Sequence, residues 1–211
     1  KTVPDMGFSH EVERSLSMIR YLGGTVRSSQ TEVWTKAQEE VWAEEVLAGV
    51  PRPVAAVSIG QAADRRYWPV ERYAELLRWL GTEYGWSFVL LGNQEEQEPA
   101  TRLANGENMP RMINLTGHTT VRQMMAVLRR CKVYLGRDTG TKHLAAAAGV
   151  PVVEISCHSR QVPAIAIPSP SRYGAWGVPN IVIQPDHALS SCQLVCSRQE
   201  SHCILQISVE Q

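Results

Sequence analysis

Asp138, Thr139, Gly140, Thr141, Lys142 and His143 stand in one unbroken run between two apolar stretches. The residues before them, Val133-Tyr134-Leu135-Gly136, are apolar β-formers ended by glycine, which predicts a buried strand. The residues after them, Leu144 to Ala148, are strong helix formers closed by Gly149 and Pro151. Strand, tight turn and helix together aim free backbone amides and the positive end of a helix dipole beyond the strand's carboxyl end, which suits an anion. Thr139, Lys142 and His143 add donors on the same rim, and a diphosphate fits such a set. The residues alone leave a plainer alternative open, in which the Asp-Thr-Gly turn only caps the helix and His143 is structural.

Other chemistry-bearing residues also follow apolar runs. Gly60 to Pro69 carries the adjacent Arg65 and Arg66, which read by themselves as a solvated charge pair, although guanidinium groups also clamp phosphate in a bidentate way. Gly92-Asn93-Gln94-Glu95-Glu96 places carboxylates where vicinal ribose hydroxyls would dock. An acidic helix start, favoured by the dipole alone, accounts for the same residues. Leu115 to Thr119 forms a third turn.

The elements that must hold these turns alternate regularly from residue 53 onward. Strands are predicted at 53–60, 87–92, 112–115, 133–136, 152–156 and 181–183. Helices are predicted at 70–85, 96–103, 119–130 and from 142 onward, with Tyr73, Leu76, Leu77 and Leu80 turned inward on the first. Alternation of this kind implies an α/β fold, a Rossmann-like parallel sheet with helices on both faces, which binds ligands past the carboxyl ends of its strands. Residues 1–50 read as a connector: an amphipathic helix over 9–22 capped by Ser9 with Val12, Leu16, Ile19 and Leu22 on one face, a short edge strand at 31–34, and an acidic helix over 36–48. Pro51 and Pro53 mark the boundary with a domain spanning 51–211. Residues 157–180, with four prolines and two glycines, are too long for a plain connection and predict a functional surface loop.

Composition narrows the class. The chain has 211 residues, with 21 basic and 21 acidic side chains and no formal net charge. Nothing in that balance suggests a nucleic-acid binder. No apolar run approaches the length of a membrane span, and the first residues lack the pattern of a signal peptide, so a cytoplasmic location is expected. The start without Met suggests a fragment. Of five cysteines, Cys131 and Cys157 read as buried thiols, while Cys192, Cys196 and Cys203 cluster in spacings that match no common zinc pairing; reduced packing, a disulfide and a metal site all stay open for those three.

The stretch GRDTGTKHLAAAAGVP resembles the signature of glycosyltransferase family 9, the bacterial heptosyltransferases of lipopolysaccharide core synthesis. Tyr67-Trp68-Pro69, the Leu115–Thr119 turn and the aromatic loop Ser171–Gly177 resemble further elements of that family, in the correct order over residues 53–203. The resemblance implies the carboxyl-terminal, donor-binding domain of a GT-B glycosyltransferase whose amino-terminal half, with the acceptor site and the catalytic base, is missing. It implies a donor site of Gln61, Ala62, Arg66, Glu96, Thr119, Asp138, Thr139, Gly140, Thr141 and His143. Arg66 stands where the family usually has Lys, Ala62 where a hydroxyl would assist, and the 171–177 loop helps close over the donor. Arg66 and Lys142 stabilise the leaving group, with no metal and no cofactor. The implied reaction is inverting transfer of heptose from ADP-heptose to a lipid-linked inner-core saccharide, with peripheral contact at the inner membrane. Two alternatives stay open: another nucleotide sugar, or a nucleotide-binding module without transferase activity.

Overall fold

The computed structural model describes residues 10–60, 66–161, 169–188 and 202–211. Its centre is a six-stranded sheet in the order β3-β2-β1-β4-β5-β6, all neighbours parallel. The strands are β1 (Val54–Ser58), β2 (Ser87–Leu90), β3 (Met112–Asn114), β4 (Val133–Gly136), β5 (Val152–Ile155) and β6 (Asn180–Ile183). This is the Rossmann-like α/β class expected. The order reverses between β1 and β4, so their carboxyl ends open a crevice at the switch point.

Both sheet faces are covered, and alternation along each strand sorts residues between them. Val54, Ala56, Val89 and Tyr134 pack with α2 (Ala37–Val46), α5 (Val121–Leu128) and α6 (Gly140–Ala147). Ala55, Val57, Phe88, Leu90 and Leu135 pack with α3 (Val70–Tyr84) and α4 (Gln97–Ala104) on the other side. Fully buried side chains such as Leu77 and Phe88 each contribute roughly 1.5–3 kcal/mol of transfer free energy. On α3, Tyr73 and Leu77 are buried as expected, whereas Leu76 and Leu80 are half-buried beside a hollow.

The first fifty residues differ from expectation in three places. The cap of α1 (Glu11–Tyr21) is His10, whose Nδ1 accepts from the Val12 amide, and not Ser9. The apolar stripe of α1 is left open, with Ile19 and Leu22 exposed. Residues 31–34 form no strand: the Val33 carbonyl accepts from Arg129 and Trp34 is exposed, so the segment is held by side chains and not by a ladder. By contrast α2 is integral, since Ala43, Leu47 and Val50 belong to the same apolar cluster as β1 and α5, and Glu40 ties it to Arg130 at 2.5 Å.

Candidate functional site

The carboxyl ends of β1, β2 and β4 surround a cavity of about 480 Å³ whose wall includes Gly60, Arg66, Glu96, Thr119, Arg137, Asp138 and Thr139. Gly60 takes φ +77°, and a Cβ there would collide with the Arg137 guanidinium, so the chain leaves β1 by a path that favours glycine. Past β2, the Asn93 carboxamide oxygen accepts from the amides of Glu95 and Glu96 at 3.0 and 3.2 Å, winding the chain into a 3-10 turn. That turn swings Glu96 inward, where it is buried. Its Oε2 accepts from the Gly60 amide at 3.1 Å and from Ser58 Oγ at 3.2 Å. Two donors on one oxygen fix the carboxylate against the cavity wall, and a Cβ on Gly92 would come within 2.6 Å of it. Glu95 is exposed and takes no part in the wall.

After β4 the turn is built as its residue types predict. Tyr134, buried in β4, sets its phenol oxygen 3.3 Å from Thr139 Oγ1 and 3.4 Å from the Arg137 carbonyl, bracing the turn from below. Thr139 is the N-cap of α6 and no side chain caps the helix, so the first amides, at Gly140 and Thr141, face the cavity these two residues line. Thr119 Oγ1, at the cavity's other side, is buried without a hydrogen-bond partner among the described residues. It is a donor and acceptor available to whatever fills the space.

Asp138 is held by charge. Burial alone would raise its carboxyl group, but His143 Nε2 at 3.7 Å and Lys142 Nζ at 2.7 Å more than offset this and hold it at about 2. Lys142 does not occupy the rim. Its side chain is 0% exposed, and its three ammonium donors go to Asp138 Oδ1 at 2.7 Å, Glu154 Oε2 at 2.9 Å and the Tyr173 carbonyl at 2.6 Å. An ammonium with every proton engaged and no path to solvent cannot also meet a diphosphate, so the leaving-group role expected of Lys142 is set aside. Burial raises the Glu154 carboxyl group, with Lys142 working against that.

The cavity therefore gathers Arg66, Glu96, Thr119, Asp138, Thr139, Gly140 and Thr141 of the expected set. Gln61 and Ala62 lie outside the described residues. His143 shares the Asp138 oxygen but lines a neighbouring groove of about 510 Å³, together with α1, residues 28–33, Arg172 and Trp176. The 171–177 loop also belongs to that groove and not to the cavity wall. It carries α7 (Pro170–Tyr173), Arg172 Nε donates to Glu11 of α1 at 2.8 Å, and Trp176 stacks on His10 at 4.5 Å. Arg137 is the cavity residue that the sequence reading did not select. Its signal was a lone cation at a strand's carboxyl end, directly before the turn. Away from the site, Cys131 is buried as expected, its thiol pushed up to about 12 by that burial. Cys192 and Cys196 are outside the described residues, and among those described no cluster of three His, Cys, Asp or Glu side chains is arranged to hold a metal. No described helix is long and apolar enough to cross a membrane.

Comparison with known proteins shows the family and the fold. Residues 1–166 match the family model described as glycosyltransferase family 9 (heptosyltransferase). Lipopolysaccharide heptosyltransferase 2 of Salmonella typhimurium is 33% identical over 91 residues, 42% of this chain and 26% of that protein. Lipooligosaccharide heptosyltransferase 2 of Haemophilus ducreyi is 29% identical over 138 residues, 64% of this chain and 38% of that protein. A family 9 glycosyltransferase structure from Veillonella parvula superposes with a TM-score of 0.81 at 21% identity, covering 99% of this chain and 59% of that one. E. coli ADP-heptose heptosyltransferase II gives 0.72 at 20% identity, covering 100% and 61%. The chain thus spans well under two thirds of the length of each of these relatives.

Proposed function

The chain belongs to glycosyltransferase family 9, and from that premise we propose that it is the nucleotide-sugar half of a heptosyltransferase, holding ADP-heptose for inverting transfer to a lipopolysaccharide inner-core saccharide. The observation that carries this reading is the α6 N-terminus, uncapped by any side chain and opening into the same cavity as Arg66, Glu96 and Asp138.

In this reading the diphosphate lies across the amides of Gly140 and Thr141, with the Arg66 guanidinium as its counter-charge. The ribose hydroxyls donate to Glu96, and the base sits toward Thr119. Asp138 stays ionised at neutral pH, accepts from hydroxyls of the donor sugar and holds in shape the turn whose amides meet the diphosphate, so that its loss weakens binding of ADP itself. An acceptor hydroxyl attacks the anomeric carbon from the face opposite the diphosphate, a carboxylate in the amino-terminal half of the protein takes its proton, and the C–O bond to the diphosphate breaks with its electron pair going to phosphate. The negative charge gained there is met by groups already in place, which is where fixed donors lower a barrier most. The acceptor, lipid-linked, is held mainly by that amino-terminal half, which brings the protein to the inner face of the membrane as a peripheral partner.

Calorimetric titration of the 211-residue chain with ADP, GDP and UDP tests the reading. Selective ADP binding, weakened about tenfold or more by Asp138→Ala, is expected, about 1.4 kcal/mol or more. A folded chain that takes up none of the three would remove it.

A further inference from the structure

The ammonium of Lys142 joins three elements that are separate in sequence. Asp138 belongs to the turn after β4, Glu154 to β5, and the Tyr173 carbonyl to the end of α7. Beyond Tyr173 the contacts continue to the start of the described chain. Arg172 donates to Glu11, His10 Nε2 lies 3.1 Å from the Gly174 carbonyl oxygen, and Trp176 Nε1 donates to the Ser29 carbonyl at 2.7 Å. The result is a continuous series of polar contacts from α1 and residues 28–29, through α7, to the carboxylate on the cavity rim.

We propose that Lys142 is a positioning residue that fixes Asp138 in its orientation toward the cavity and locks the turn at 138–141 to the α7 segment, so that the two move as one unit. The inference rests on the donor reading given above. Its physical basis is the count of groups on one buried cation. Two carboxylates and one carbonyl meet the three protons of the ammonium, so Asp138 Oδ1 has one place to be. A methionine at 142 would fill similar volume and leave Asp138 held only by His143, at 3.7 Å on the exposed side.

Structural and positioning roles separate through Glu154. Glu154→Gln removes the excess negative charge of the triad and leaves an amide oxygen to accept from Lys142. The double variant Lys142→Met/Glu154→Gln then removes the ammonium without leaving Glu154 buried and unpaired. The experiment compares ADP affinity by calorimetry, and hydrogen exchange of the 170–176 peptide with and without ADP, in wild type, Glu154→Gln and the double variant. Glu154→Gln should bind ADP as wild type does. The double variant, folded by circular dichroism, should bind about tenfold more weakly, the loss expected when one charge-assisted hydrogen bond no longer orients a ligand's partner. Its 170–176 peptide should exchange faster and cease to respond to ADP. Equal affinity and equal exchange in the two variants would overturn the positioning role while leaving the donor site intact. Absence of ADP binding in wild type would instead remove the donor reading itself, and the proposal with it. A double variant that does not fold is replaced by Asp138→Asn/Lys142→Met/Glu154→Gln, in which no carboxylate of the triad is left unpaired: ADP responsiveness retained at the 170–176 peptide there overturns the coupling, and its loss supports it.

Discussion

Among the described residues two hollows lie against the central sheet, and the larger is the less informative. On the α3 side of the sheet a hollow of about 910 Å³ is walled by Trp68, Leu76, Trp79, Leu80, Ile155 and Ile183. The cavity at the strand ends holds about 480 Å³. The first borders the middles of β4, β5 and β6, where side chains alternate and backbone groups are spent on the ladder. The second borders the carboxyl ends of β1, β2 and β4, where the chain leaves the sheet with amides and carbonyls unspent, and where each exit carries a polar residue. Volume measures where packing stops. What a site can do depends on which unspent groups converge on it, and here they converge on the smaller space.

The contrast can be broken or sharpened by substitution. Lys142→Met should have the largest effect, because it leaves Glu154 buried beside no cation and removes the nearest cation from Asp138. Breaking a buried pair from one side costs about 3–5 kcal/mol, and thermal melting should fall by roughly 10 °C. A melt unchanged within error would mean that the ion pairs of Lys142 contribute nothing to the fold. Asp138 is next. Its carboxyl group is lowered to about 2 in the folded chain from an ordinary value of 3.8, so the stability it contributes is present above about pH 4 and is lost as pH falls through about 2. That contribution is on the order of 2 kcal/mol. Denaturant titrations across pH 4 to 2 should show a steep acid limb in wild type and a flatter one in Asp138→Asn. The smallest effects form a matched pair. Arg66→Gln should weaken ADP binding about tenfold with little change in melting. Leu76→Ala, in the apolar hollow, should cost about 1–2 kcal/mol of stability and leave ADP affinity unchanged. If the two swapped readouts, the functional space would be the larger one.

The sheet was legible because its signals are local and redundant. VAAVS, SFVL, VYLG and VVEI are short apolar runs closed by turn residues, and each became a strand. The short strand at 31–34 failed for a non-local reason: a strand needs a neighbour, and Arg129 holds that stretch instead. The turn at 138–141 was legible down to its exposed amides. Lys142 was not, because a lysine four residues after an aspartate reads the same whether the pair faces water or the interior. What decides is Glu154, a carboxylate inside an otherwise apolar strand, where burial penalises its charge and a cation of its own offsets that. Read that way, VVEI already asked for a buried lysine or arginine. Arg137 needed the three-dimensional meeting of the β1 and β4 exits, which no single stretch of sequence contains.

Gly60 closes off one avenue of change. Its torsion is of the sign that side chains resist, and the volume beside its Cα is already filled by a guanidinium. In a library of all substitutions this column should be dominated by glycine, with asparagine and aspartate the next best tolerated. Shortening Arg137 would clear the space without altering the torsion, and relaxing the turn would alter the torsion without clearing the space. No lone second-site revertant should therefore recover a lesion there, and drift through neighbouring sequences must pass around this position.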